Sequence, residues 1–200
     1  MNSRVIAELI AHLGRIAGGD GQATGLTPVQ WAALRYFTHA NRFSRTPSGF
    51  AAFHGTTRGT ASQVIKNLIA RGYLVQTRSP DDGRSVRLDP TEMARTIASK
   101  DPMAALVEAA DALPPGVRGA FATTLRQMQA NVAAAKGGPV FGICRGCRYF
   151  EGDGCCRDEL PPYACGFVDQ PLVEDELEEL CINYATNDGG TRARPDMGPA

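Results

Sequence analysis

Apolar residues recur at helical spacing from the start of the chain: Val5, Leu9, Leu13 and Ile16, with Ile6 and Ile10 beside them. This pattern predicts a first helix, ended by Gly18, Gly19 and Gly21. A second helix opens at Thr27-Pro28, with Thr27 as N-cap and Pro28 in the first turn, and carries Trp31, Leu34 and Phe37 on its apolar face. NRFSRT reads as a linker, and Pro47 starts a short helix containing Phe50, Ala51 and Phe53. After the turn HGTT, the spacing predicts a helix from Arg58 to Arg71. Its buried face holds Ala61, Val64, Ile65, Leu68 and Ile69, and Gly72 stops it. YLVQTR and SVRL predict two strands around the turn SPDDG. Helical patterns then cover 91–113, where Asp101-Pro102 can kink or split the helix, and 114–136. Gly137-Gly138-Pro139 marks a boundary.

Helix, turn, helix and a two-stranded hairpin, in that order, describe a winged helix-turn-helix. The expected class is mainly α with a small β wing and a helical dimerisation region. The helix from Arg58 to Arg71 has a polar face of Arg58, Thr60, Ser62, Gln63, Lys66 and Asn67. Arginine and glutamine there can make bidentate base contacts, and lysine and the hydroxyls can reach bases or phosphates. Arg78, Arg84 and Arg87 lie on the predicted hairpin, with Arg84 near its tip. A polar helix face is usually only solvated. The basic hairpin directly after it favours a DNA reader over that bland reading.

The stretch LTPVQWAALRYF, continued by RTPSGFAAFHGTTRGTASQVIKNLIARGYLVQTRSPDDGRSVRL, resembles the MarR family of transcriptional regulators. Leu26 to Trp31 resembles the opening of the family's second helix, Thr57 to Gln63 its recognition helix, and Ser79-Pro80 with Asp82 and Arg84 its wing. The resemblance covers residues 1–136. It implies a homodimer built on the first and last helices of that region and a palindromic operator in double-stranded DNA. It also implies repression relieved by a small phenolic ligand or an oxidant. Three departures stand out: Gly83 where the family has arginine, Asp89-Pro90 at the end of the second wing strand, and Gly49 inside the scaffold helix.

Charge supports the division. Lys/Arg and Asp/Glu balance at 21 each, but residues 39–95 hold nine basic and four acidic residues, and residues 137–200 five and twelve. A basic middle suits a polyanion, and the acidic end does not. No apolar run reaches the roughly 18 residues of a membrane span, and the start lacks an uninterrupted signal-peptide core, so a cytoplasmic protein is expected. His12, His39 and His54 have no acid or cysteine partner nearby in sequence, and the run from Glu174 to Glu179 reads as a solvated helix face. With no phosphate loop or nucleophile elbow, the chain is expected not to be an enzyme.

All six cysteines fall between Cys144 and Cys181. Disulfides are a poor default in a cytoplasmic chain. Cys144-x2-Cys147 can bend round one metal centre, with Arg145 and Arg148 adding positive charge. Cys165 and Cys181 are the expected further ligands. Cys155 and Cys156 are adjacent, which makes both binding one ion awkward, so each stands as an alternative ligand. Sulfur ligation fits zinc or an iron–sulfur centre. Zinc favours two compact Cys-x2-Cys hairpins, whereas the later cysteines here are scattered. That favours an iron–sulfur cluster, [4Fe-4S] in type, with zinc as the alternative. Phe141, Tyr149, Phe150, Tyr163 and Phe167 are expected to shield it. The expected organisation is a DNA-binding and dimerisation domain at 1–136, a metal-binding extension and redox sensor at 137–185, and a disordered tail at 186–200.

Overall fold

The computed structural model describes residues 2–18, 24–78, 86–152 and 162–187. The expectations placed on Arg84, Asp82, Gly83, Cys155, Cys156 and residues 188–200 lie outside that set.

Among the described residues, seven α-helices and two small antiparallel sheets follow one another. Helix α1 is Ser3–Gly18, α2 Pro28–His39, α3 Pro47–His54 and α4 Arg58–Ala70. The wing strands are β1 (Leu74–Arg78) and β2 (Val86–Pro90), in register from Leu74 opposite Pro90 to Arg78 opposite Val86. The predicted helix over 91–113 is split, as Asp101-Pro102 suggested, into α5 (Glu92–Ala98) and α6 (Ala104–Asp111). Helix α7 runs Pro115–Lys136 and ends on Gly137 in the left-handed region.

Local chemistry sets these boundaries. Thr27 and Gln30 form a capping box at the start of α2, and Thr46, Thr57 and Thr91 cap α3, α4 and α5. Gly72, with φ of 78°, turns the chain out of α4 into β1. Asp89-Pro90 does not shorten the wing: the ladder runs through both residues, with Pro90 pairing Leu74 as an end residue.

The main core gathers Leu26, Trp31, Phe37, Phe50, Leu68 and Leu88 from the helix-turn-helix and wing. Arg35 ties this body to the helical region by an ion pair with Asp101 at 2.7 Å and a hydrogen bond to the Ala17 carbonyl at 3.2 Å. Helices α1, α6 and α7 are different. Among their described residues only Ala17 and Ala133 are buried, while Leu9, Leu13, Ile16, Val107, Phe121 and Val132 stay exposed.

Residues 140–152 and 162–187 form a second, smaller body. Short strands β3 (Phe150–Glu151), β4 (Tyr163–Cys165) and β5 (Gln170–Leu172) make an antiparallel sheet in the order β3-β4-β5. Its core is Cys144, Leu172 and Leu177, with Phe43 reaching in from the α2–α3 turn. Leu180 and Ile182 pack in the other direction, against the main core. Among the described residues no helix is long and apolar enough to cross a membrane.

Candidate nucleic-acid interface and candidate metal centre

Helix α4 lies with Ala61, Ile65 and Leu68 buried against α2 and α3. The opposite face presents Arg58, Thr60, Gln63, Lys66 and Asn67 to solvent, with Ser62 half-buried beside them. Thr57 caps the helix, its hydroxyl accepting from the Thr60 amide at 3.1 Å and meeting the Thr60 hydroxyl at 3.0 Å. Gln30 Nε2 donates to Asn67 Oδ1 at 2.7 Å, which fixes the Asn67 amide. On the wing, Arg78 is exposed, while Arg87 pairs with Asp89 at 2.9 Å. Asp89 also accepts from Thr77 at 3.1 Å and meets Arg45 at 3.4 Å, so Arg87 belongs to a hairpin-bracing network.

Cys144, Cys147, Cys165 and Cys181 line a single cavity of about 390 Å³ of empty space, its open mouth included. Most of that space is interatomic gaps and open solvent, and the part that a water-sized body can enter holds about one. A 3₁₀ turn at Cys144–Gly146 bends the Cys144-x2-Cys147 pair. Cys165 ends β4, and Cys181 is bridged to Gly142 through paired backbone hydrogen bonds. Phe43, Tyr149, Phe150 and Phe167 complete the apolar wall together with Leu172. Tyr163 lies behind this wall, against Phe150 at 5.7 Å and the Cys144 cluster, whereas Phe141 packs instead on Phe53 of α3 at 4.7 Å between centroids.

The four thiols are free of disulfides. Burial first, then the charges of Cys181, Cys165, Cys147 and Glu176, pushes the Cys144 thiol up to about 12. Burial also raises Cys181, opposed by hydrogen bonds from Asn41, the Asn183 backbone and Ser44. Among the described residues no three His, Cys, Asp or Glu side chains are grouped so as to hold one metal ion. The donor set is all sulfur, walled by aromatics and apolar residues, and supplied with hydrogen-bond donors at Cys181. That chemistry fits a thiolate-ligated centre.

Two sequence expectations change here. Arg145 does not serve the thiols: it pairs with Glu174 and, at 2.7 Å, with Glu178. The acidic run is no solvated α-helix face either. Glu174–Glu178 is a 3₁₀ turn, and Glu174, Glu176, Glu178 and Glu179 all pair with arginines.

The segment NRFSRT, read as a linker, is the seat of the cysteine body. Leu180 N donates to the His39 carbonyl at 2.7 Å, and Asn41 N to the Leu180 carbonyl at 2.9 Å. Ile182 N donates to Ser44 Oγ at 3.1 Å. Arg42 pairs with Glu176 and donates to the Pro171 carbonyl at 2.6 Å, and Arg45 pairs with Glu179 at 3.1 Å. Asn41 and Ser44 are fully buried polar residues in a turn. Four polar residues before a helix-opening Thr46-Pro47 gave the sequence reading only a loop signal. Their partners lie about 130 residues away.

These geometries define a winged helix-turn-helix with a sulfur-lined body docked on its turn. The sequence model of the MarR family matches residues 24–85, the segment holding α2, α3, α4 and the start of the wing. A MarR transcriptional regulator from Methanosarcina mazei Go1 shares the fold at 19% identity and a TM-score of 0.53, covering 66% of this chain and 99% of its own. A MarR family regulator from Silicibacter pomeroyi does so at 21% and 0.53, covering 64% and 87%. CouR from Rhodococcus jostii RHA1, solved bound to p-coumaroyl-CoA, does so at 20% and 0.52, covering 62% and 88%. Each solved chain is matched over most of its length, and about a third of this chain lies outside each match. No curated protein matches the chain.

Proposed function

We propose that the chain is a homodimeric, sequence-specific DNA-binding repressor of MarR type whose operator affinity is set by an iron–sulfur cluster on Cys144, Cys147, Cys165 and Cys181. The DNA-reading part is supported by the family match over residues 24–85 and by the exposed polar face of α4. The dimer is supported by the apolar residues that α1, α6 and α7 leave exposed, since contiguous apolar surface of this kind calls for a partner.

The observation that carries the cluster is the convergence of four scattered cysteines on one aromatic-walled cavity. A zinc ion with Zn–S bonds of ~2.3 Å needs its sulfurs roughly 3.8 Å apart. Four cysteines scattered along the chain from Cys144 to Cys181 suit the wider body of a cuboidal cluster better. When bound, such a cluster supplies an electron-accepting, oxidant-sensitive centre. The chain's own residues hold it: Phe43, Tyr149, Phe150 and Phe167 exclude water, and Asn41, Ser44 and the Asn183 amide hydrogen-bond the Cys181 sulfur.

Anaerobic purification followed by iron, sulfide and zinc analysis tests this reading. Brown protein with a broad visible absorption band and matching iron and sulfide supports it. Colourless protein with one zinc per chain overturns the cluster in favour of a structural zinc site.

A further inference from the structure

The sequence order alone points to α7 as the link between the cysteines and the DNA-reading helices, because the cysteine body follows α7 directly. The structure offers another route. Between α2 and α3, the backbone of residues 39–41 hydrogen-bonds Leu180 in both directions, and Ser44 accepts from Ile182 N. Asn41 and Phe43 are themselves part of the cavity wall. The next residue on this path is Arg45, and four of its attachments matter. Its guanidinium meets Glu179 of the cysteine body at 3.1 Å and Asp89 of β2 at 3.4 Å. Its Nε donates to the Ala40 carbonyl at 2.7 Å, and its own carbonyl accepts from Leu88 N of β2 at 2.8 Å. Thr46, immediately after it, caps α3, the helix that packs on α4.

We infer that the α2–α3 turn is the coupling element: the docked cysteine body holds this turn through Arg42 and Arg45, and Arg45 in turn positions the wing for DNA. This inference rests on the DNA-regulator reading and specifies its regulation. Arg45 is a positioning residue, acting through Asp89 and Leu88, not a DNA contact. Glu176 and Glu179 are the groups by which the cysteine body grips the turn. When the body loosens, Arg42 loses Glu176 and the Pro171 carbonyl, Arg45 loses Glu179, and the bond from Ile182 to Ser44 goes with them.

The test compares three chains: the parent, the double variant Glu176→Gln with Glu179→Gln, and a chain with Gly-Ser inserted between Gly137 and Gly138. The probe is a duplex that the parent enriches from a random-sequence pool. Affinity is measured with the centre loaded and after its removal, alongside iron and sulfide content and sedimentation mass. A coupling of ordinary size makes the parent's affinity differ by about 5- to 150-fold between the two states. The double variant should carry the same iron and sulfide and the same mass, with that ratio reduced to about twofold or less. The inserted chain, whose connection to α7 is slackened, should keep the parent's ratio.

A double variant with an undiminished ratio, or an inserted chain that has lost it, overturns the coupling route and leaves the cluster reading standing. A parent that takes up no cluster overturns the cluster reading instead. The metal-free chains then decide the route: weaker binding by the double variant, about fivefold or more at unchanged mass, supports it, and equal binding overturns it.

Discussion

Gly49, in the first turn of α3, packs against the hydroxyl of Tyr36 with no room for a methyl group between them. A Cβ there would collide with Tyr36 Oη and lie 2.5 Å from the Ser44 carbonyl oxygen. Tyr36 donates to that same carbonyl, so the glycine lets α3 close over the hydrogen bond that shapes the α2–α3 turn. This accounts for a glycine in a helix where a better helix former is expected.

Gly49→Ala therefore reverses the usual sign. In an exposed helix interior the change gains roughly 1 kcal/mol. Here overpacking costs about 1–3 kcal/mol. Denaturant unfolding of the two chains checks this, and a more stable alanine variant would refute the packing argument.

On α4, Gln63 and Lys66 should behave differently. Gln63→Ala is expected to cost about 1–3 kcal/mol on the preferred duplex and to relax the choice of base at one position. Lys66→Ala should weaken all duplexes alike and reduce the salt slope by about 1. Titrations at several salt concentrations separate the two. Affinity that is flat with salt would count against DNA binding altogether.

Leu9→Asp places a charge in the exposed apolar stripe of α1. Sedimentation should show the mass fall from two chains to one, with operator affinity lower by about tenfold or more as the two-site contact is lost. A dimer that survives would place the interface elsewhere.

The cluster-free chain should be sensitive to alkali. Burial, then the neighbouring charges, raises the Cys144 thiol from its ordinary 9.0 to about 12. The native chain thus holds this proton more tightly than the unfolded chain does. The associated stability is complete below the ordinary value and is lost as pH climbs from there through about 12. Thermal midpoints recorded between about pH 7 and about pH 10 should begin to fall at the alkaline end, and fall less in Cys144→Ser. A variant as alkali-sensitive as the parent would assign the effect to another group.

Much of the fold was legible because it is written in local chemistry. The Thr27-Pro28 and Thr46-Pro47 starts, the stop at Gly72 and the break at Asp101-Pro102 are each decided within a few residues. The polar face of α4 was legible from its helical period. The Asn41–Arg45 turn was not, since Arg42 and Arg45 pair with Glu176 and Glu179, each 134 residues distant. The same distance hid the purpose of the acidic run, which in isolation has the pattern of a solvated surface.

The parallel bridge between Ala40 and Leu180 also sets an order of events during synthesis. The winged core can close once the wing has been made, because its own contacts are short in sequence, whereas the bridge must wait for nearly the whole chain. Cys181, the last cysteine, arrives with that bridge. Any cofactor insertion is consequently a late maturation step, carried out on a chain whose winged core has already folded, and a nascent chain stopped before residue 180 would release that core without its clasp.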